Sequence, residues 1–254
     1  MTPLGIGGML FLIFFLLLLV GCPIMVALGV GTMACFLILD IDLSMMIERA
    51  FASLTAFPLM ALPAFVLAGA LMEASGISRR LVAVAEAFVG PIPGGLAIST
   101  VLSCVFFGAI SGSGPATTAA VGMLMIPAMT KRGYNTAYAA ATTATAGGIG
   151  IIIPPSIPMV IYGVTGQVSI SKMFMAGFIP GFLIAFSLCV LHFLKCRRLG
   201  LGGEKWSLRH LLHTVKDGFW SILAPLIILG GIYAGLFTPT EAAIVAIFYT
   251  LFVG

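Results

Sequence analysis

Charged residues are scarce in this sequence: 8% of its 254 residues are Asp, Glu, Lys or Arg, whereas 61% are hydrophobic. A soluble domain carries a charge at about a quarter of its positions. No charged residue occurs from Ala87 to Thr130 or from Gly133 to Ser171. These runs, with a mean hydropathy of +1.21, exclude a soluble globular protein. They predict an all-α integral membrane protein with several spans.

The sequence also lacks the residue patterns of enzymes and metal proteins. Its five cysteines are scattered, without the spacing of a metal site or a disulfide framework, and we expect them to be packing residues. Neither a nucleophile–His–acid set nor a phosphate-binding glycine loop is found, so we do not expect an enzyme. An intramembrane enzyme stays open only if a segment beyond this chain supplies a base for Ser111 or Ser113.

Long apolar runs predict the membrane spans. The run Ile6–Leu39 is interrupted by Gly21-Cys22-Pro23, and because proline breaks or kinks a helix, we expect two spans joined by a turn. Residues 44–57 predict an interfacial helix. Further spans are predicted at Leu59–Ala74, Phe174–Leu194 and Phe219–Phe237. The final run, Ala242–Val253, is too short to cross a bilayer, so we expect more protein to follow it.

Two apolar stretches are interrupted by glycine, proline and serine. Residues 96–130 are broken at Gly112-Ser113-Gly114-Pro115, and residues 134–163 are broken between Gly147 and Ser156. Non-helical backbone within a membrane is costly unless it is buried in protein or lines a cavity. Such interruptions indicate a transporter binding site. The alternative is that these are close-packing glycines at a kink, but two similar breaks favour a site.

Basic residues indicate which segments face the cytoplasm. The positive-inside rule places the predicted loop Lys195–Lys216 there, and two crossings earlier Lys131-Arg132 lies on the same side. If Arg79-Arg80 is cytoplasmic as well, residues 94–130 enter and leave by one face. They would then form a re-entrant hairpin with its tip at Ser111–Pro115, and its limbs would be short for a hydrocarbon core of ~30 Å.

The predicted hairpin tip has the groups that a cation and an anion need. Glycine-rich backbone frees carbonyl oxygens, and Ser111 and Ser113 add hydroxyl oxygens, which together suit Na⁺. Ser113 can cap a helix, and Pro115 suits the first helical position. The positive end of the helix that follows would attract a carboxylate.

The ionisable residues favour sodium over proton coupling. Proton-coupled carriers place a carboxylate or histidine deep in the membrane, and the deep segments here have neither. His192, His210 and His213 are predicted at or beyond a span end. The carboxylates near span ends are interpreted as interfacial residues: Glu73, Glu86 and Glu241.

Four polar residues are predicted on one side of helix 134–146, at about 100° per residue: Asn135, Thr136, Thr142 and Thr143. They either bond to a neighbouring helix or line a polar path, and the sequence leaves both readings open.

A resemblance to a known family is carried by three motifs in the family's order. They are PIPGGLAISTVLSCVFFGAISGSGPATTAAVGMLMIPAM (Pro91–Met129), AGGIGIIIPPSIPMVIYG (Ala146–Gly163) and GLFTPTEAA (Gly235–Ala243). The chain resembles the large membrane subunit of the tripartite ATP-independent periplasmic (TRAP) transporters, in their DctM-like branch, over nearly its whole length.

That resemblance implies a multi-span helical elevator-type transporter of the bacterial inner membrane, of which this chain holds the first of two inverted repeats and the start of the second. Residues 1–93 would form scaffold spans and interfacial or arm helices, 94–130 the re-entrant hairpin and 131–173 the broken helix of the transport domain. Residues 174–237 would form spans and a basic cytoplasmic loop, and 238–254 the start of the second repeat.

The resemblance also implies partners, ions and site residues. Family members import small organic acids such as dicarboxylates, sialic acid or other sugar acids with Na⁺, a small membrane subunit and a periplasmic substrate-binding protein. Carried over to this chain, the expected sodium-binding residues are Ser111, Gly112, Ser113, Gly147, Gly148 and Pro154. The expected substrate-binding residues are Ser113, Gly114, Ala116, Thr117 and Ser156. The alternative function is a membrane channel, which also uses non-helical backbone.

Overall fold

The computed structural model describes residues 3–201 and 207–254, and the regular structure in these ranges is helical throughout. This confirms the prediction of an all-helical protein. Two 3₁₀ turns occur, at Phe57–Met60 and Gly148–Ile151. The α-helices are α1 Pro3–Leu19, α2 Ile24–Ile38, α3 Leu43–Leu54, α4 Ala61–Ala74, α5 Ile77–Val89, α6 Gly95–Ser111, α7 Gly114–Lys131, α8 Thr136–Gly147, α9 Ile157–Thr165, α10 Ile170–Arg198, α11 Leu208–Tyr233 and α12 Pro239–Val253.

The chain forms two compact units, and the first ends at Ala56. Its helices α1 and α2 are joined at Gly21, whose φ of 87° is in the left-handed region that favours glycine. The predicted pair of apolar helices with a turn at Gly21–Pro23 is thus confirmed. Helix α3 is present where the interfacial helix was predicted, with Ile47 and Phe51 exposed. Its place at a membrane surface stays a prediction.

The second unit runs from Phe57 to Gly254 and is built around α6. Helices α4, α5, α7, α8, α10 and α11 all contact α6, and all of its residues except Leu102 and Phe106 are buried to below a tenth of their surface. A helix that is apolar on every side is expected in such a position. Its hydroxyl groups need partners there, and Ser99 and Thr100 donate to carbonyls of their own helix, each at 2.8 Å.

Three of the described helical segments are long and apolar enough to cross a membrane: Phe57–Ala74, Ile170–Arg198 and Leu208–Tyr233. They correspond to the three further predicted spans, with different limits. Helix α11 begins eleven residues before the predicted start at Phe219, because Ser207 caps it by accepting from the amide of His210.

The early start of α11 corrects the predicted loop Lys195–Lys216. Lys195, Arg197 and Arg198 lie in the last turn of α10, where cations interact favourably with the helix dipole. Lys216 lies within α11. The connection between the two helices is therefore much shorter than predicted, and its residues 202–206 lie outside the described ranges.

His192 also differs from its predicted place at a span end. Helix α10 continues to Arg198, so His192 lies inside the helix and is buried, with 4% of its surface exposed. Its Nδ1 atom is 2.5 Å from the hydroxyl of Tyr138 on α8. Polar and basic residues extended this helix beyond its apolar segment, a feature that hydropathy alone does not detect.

The last helix, α12, begins with a reciprocal cap. The hydroxyl of Thr238 accepts from the amide of Glu241 at 3.3 Å, and the carboxylate of Glu241 accepts from the amide of Thr238 at 2.8 Å. The interpretation of Glu241 as an interfacial carboxylate missed this capping role, which the spacing Thr-x-x-Glu signals. Helix α12 packs extensively on α4, so its start helps to position α4.

We expect Thr238→Ala to lower the stability of the protein by about 1 kcal/mol, because one amide at the start of α12 loses its acceptor. Thr238→Ser keeps the hydroxyl, and since Thr238 is exposed, the lost methyl group should matter little. The melting temperature of the purified protein in detergent measures both effects. Equal melting temperatures for the Ala and Ser variants would contradict the cap.

Candidate functional site

The connection between α6 and α7 consists of Gly112 and Ser113, and these two helices pack against each other as a helical hairpin. Gly112 has φ of 62°, and a Cβ there would also lie 2.6 Å from the carbonyl oxygen of Pro155. Ser113 caps α7 by accepting from the amide of Ala116 at 3.4 Å, as predicted. Pro115 was predicted at the first helical position, but Gly114 occupies it and Pro115 is second.

The second interruption separates α8 from α9. After the 3₁₀ turn Gly148–Ile151 the backbone is irregular up to Ser156, and the peptide bond between Pro154 and Pro155 is cis. Ser156 then caps α9 by accepting from the amide of Met159 at 3.4 Å. The predicted break is confirmed. Its end has the same design as the hairpin tip, because Ser113 and Ser156 both cap a helix that has proline in its second position.

The two interruptions are in direct contact. The amide of Ile157 donates to the carbonyl oxygen of Gly112 at 3.1 Å, which joins the start of α9 to the hairpin tip. A Cβ on Gly114 would lie 2.7 Å from the side chain of Ile151. One step along the hairpin, a Cβ on Gly108 would lie 2.5 Å from the Cα of Gly150. Glycine is therefore required on both sides for the two backbones to approach so closely.

Threonine hydroxyls hold the hairpin tip together from within. Thr117 Oγ1 donates to the carbonyl oxygen of Ser113 at 2.7 Å and lies 3.0 Å from Ser111 Oγ. Thr118 Oγ1 donates to the carbonyl oxygen of Gly114 at 2.9 Å. Thr118 was not among the predicted site residues, although its spacing of four residues from Gly114 is typical of a hydroxyl that bonds back to its own helix.

The predicted site residues differ in burial. Of the predicted sodium-binding residues, Ser111, Gly112, Gly147 and Pro154 are buried, Ser113 is half-buried and Gly148 is exposed. A Cβ on Gly148 would have nothing within 4 Å, so this residue faces away from the tip. Of the predicted substrate-binding residues, Gly114, Thr117 and Ser156 are buried and Ala116 is exposed.

The polar face predicted on α8 is only partly present. Asn135 precedes the helix with extended backbone and caps it, accepting from the amide of Ala137 at 2.8 Å. Thr136 is exposed, whereas Thr142 and Thr143 are buried. A Cβ on Gly122 of α7 would lie 3.2 Å from the methyl group of Thr143. For Thr143, this contact favours packing between helices over a polar path.

A small cavity of about 150 Å³ lies beside the hairpin tip. Ser111, Ser113 and Ala116 line it from the hairpin, and Glu73 lines it from α4. The interpretation of Glu73 as an interfacial carboxylate did not place it near the tip. The remaining lining residues are Val66, Gly69, Ala70 and Phe107.

We expect Gly147→Ala to destabilise the contact between the two interruptions, because its Cβ would collide with Thr118 Oγ1. Overpacking of this kind costs about 1–3 kcal/mol. Gly148→Ala is the matched packing control, since the adjacent position has helical backbone and open space around it. Thermal unfolding of the two variants in detergent tests the contact, and a melting temperature of Gly147→Ala equal to that of Gly148→Ala would argue against it.

Comparison with known proteins places this geometry in a family context. Residues 11–254 match the family model described as "Tripartite ATP-independent periplasmic transporter, DctM component". The chain is 46% identical over 248 residues to the isethionate TRAP transporter permease protein DctMQ of Oleidesulfovibrio alaskensis, an alignment that covers 96% of this chain and 39% of that protein.

Two further relatives are similar at the same level. The C4-dicarboxylate TRAP transporter large permease protein DctM of Pseudomonas aeruginosa is 47% identical over 78% of this chain and 46% of its own length. The 2,3-diketo-L-gulonate TRAP transporter large permease protein YiaN of Escherichia coli is 42% identical over 92% of this chain and 56% of its own length. The chain thus spans about half the length of the curated relatives that it matches.

Proposed function

This chain belongs to the DctM component family of the tripartite ATP-independent periplasmic transporters, and from this premise we propose that it forms half of a sodium-coupled carrier for a small organic acid. In this proposal α6 and α7 are a re-entrant hairpin, and α8 and α9 are the broken helix of a moving transport domain. Residues 1–93 belong to the fixed scaffold of an elevator mechanism, and α12 starts the second of two inverted repeats.

The observation that carries this proposal is the contact between the hairpin tip and the broken helix. Both segments leave helical geometry at the same place, joined by the hydrogen bond from Ile157 to Gly112. Irregular backbone in membrane proteins is tolerated where it is buried in protein or lines a cavity. Transporters use such discontinuous helices to bind substrate and coupling ions.

Two helix N-termini meet at this contact, and they favour an anionic substrate. Helix α7 begins after Ser113 and helix α9 begins after Ser156. Each N-terminus carries about half a positive elementary charge and presents amide groups that helical bonding leaves free. A carboxylate placed between the two would be stabilised by both, which supports the substrate-binding role proposed for Ser113, Gly114, Ala116, Thr117 and Ser156.

The same contact offers oxygen atoms for Na⁺. The backbone around Gly112 and Gly147 ends or bends a helix, so some carbonyl oxygens there are not committed to helical hydrogen bonds. Ser111 adds a buried hydroxyl. Hard cations prefer oxygen ligands, and we propose that Na⁺ binds between the tip and the break. Gly148 faces outward, so any contribution from it comes from its carbonyl oxygen.

The names of the relatives guide the substrate class and the partners. They describe permeases for isethionate, C4-dicarboxylates and 2,3-diketo-L-gulonate, which are all small organic anions. We propose a substrate of this class for the transporter that contains this chain. A small membrane subunit and a periplasmic binding protein would complete it in the bacterial inner membrane.

Uptake of radiolabelled C4-dicarboxylate, isethionate and sugar acids into proteoliposomes tests the proposal. The complete large subunit, its small membrane subunit and its binding protein are reconstituted with an inward Na⁺ gradient. We expect saturable uptake that requires both Na⁺ and the binding protein. Uptake that ignores Na⁺ would refute the coupling, and non-saturable flux without the binding protein would favour a channel.

A matched pair of serine variants tests the place of the site. Ser113→Ala removes the cap at the start of α7, and we expect uptake to fall roughly tenfold, corresponding to about 1.4 kcal/mol of lost stabilisation. Ser187→Ala removes an exposed hydroxyl of α10 that bonds only to the carbonyl of Leu183 in its own helix. If both variants transport equally well, the hairpin tip is not at the transport site.

A further inference from the structure

Helix α4 presents one face to the hairpin tip. Val66, Gly69, Ala70 and Glu73 recur at intervals of three and four residues, and all four line the cavity beside Ser111 and Ser113. The approach is close at Gly69, where a Cβ would lie 3.2 Å from the Cβ of Ser111. Glu73 lies one helical turn beyond that contact. The structure therefore places the carboxylate of Glu73 in the same cavity as the serines of the tip.

The polar groups of this cavity are all oxygen ligands. Glu73 supplies a carboxylate, and Ser111 and Ser113 supply hydroxyl and carbonyl oxygens, whereas the other lining side chains are apolar or absent. None of the residues that line the cavity is basic, so no protein cation neutralises the carboxylate within it. A carboxylate beside membrane-buried backbone is costly without a positive partner.

We propose that Na⁺ binds in this cavity, between the carboxylate of Glu73 and the oxygens of Ser111 and Ser113. One monovalent cation neutralises the single carboxylate, and oxygen ligands suit a hard cation. A cavity of about 150 Å³ also leaves room for water molecules to complete its coordination. The proposal rests on the proposed sodium-coupled function and adds Glu73, a residue outside the hairpin and the broken helix, to the ion-binding groups.

This cavity is separate from the contact between the tip and the break. That contact involves Gly112 and Ile157 on α9, whereas the cavity opens on the side of the tip that faces α4. In the proposed mechanism α4 belongs to the scaffold and the tip belongs to the moving domain. The ion therefore bridges the two only while the tip lies against α4, and movement of the hairpin separates its ligands.

A sodium titration of thermal stability tests the cavity directly. The complete large subunit is purified in detergent, and its melting temperature is followed as NaCl replaces choline chloride at constant ionic strength. A ligand that binds only the folded state raises the melting temperature according to its affinity. We expect Glu73→Gln to raise the half-saturating Na⁺ concentration roughly tenfold, because a charged ligand is replaced by a neutral one.

Glu48→Gln is the control for charge. Glu48 is exposed on α3, and its removal changes the net charge by the same amount, so its sodium titration should match the wild type. Identical titrations for Glu73→Gln and Glu48→Gln would overturn the cavity site, as would a wild-type protein with no sodium-specific stabilisation.

The uptake assay separates this proposal from the proposed function. Sodium-dependent uptake whose half-saturating Na⁺ concentration is unchanged in Glu73→Gln would leave the carrier function standing and refute the cavity site. Wild-type uptake that is indifferent to Na⁺ would instead refute the coupling, whatever the titration shows. A Glu73→Gln variant with a raised KM for substrate and an unchanged sodium response would assign the carboxylate to substrate binding and contradict the ion site.

Discussion

The close approach of two pieces of backbone is the constraint on which the second unit depends. The hairpin tip and the break after α8 can touch only because glycine stands at Gly108, Gly112 and Gly114 on one side and at Gly147 and Gly150 on the other. A side chain at several of these places would meet backbone atoms, which cannot move aside as a flexible side chain can. The hydrogen bond from Ile157 to Gly112 then joins the segments at a point where each has left its helix.

The surrounding helices protect this contact by burying it. Helix α6 carries the hairpin into the centre of the unit, and its own hydroxyls are satisfied by its own carbonyls. Hydroxyls of Thr117 and Thr118 do the same for carbonyls near the start of α7. Since each buried polar group needs a partner, these short bonds allow a polar, glycine-rich tip to lie in an apolar unit. They also leave part of the tip backbone available for a ligand.

The acidic residues show how the same side chain can serve different purposes. Glu241 caps α12 and so supports the helix that packs on α4. Glu73 on α4 faces the cavity at the tip. Both had the same interpretation from sequence, because hydropathy places each near the end of an apolar run. Only the neighbours of each carboxylate distinguish a helix cap from a candidate ion ligand.

The amino-acid sequence by itself determined the helical membrane character, the two interruptions and the cap at Ser113. These features depend on local chemistry, namely apolar runs without charge, glycine and proline that end helices, and a hydroxyl that accepts from a nearby amide. Sequence reasoning mistook the ends of α10 and α11, since polar turns can prolong an apolar helix. The tertiary structure alone decided that the tip touches the break, that Gly148 faces outward and that Glu73 reaches the tip, because those facts depend on contacts between residues far apart in the chain.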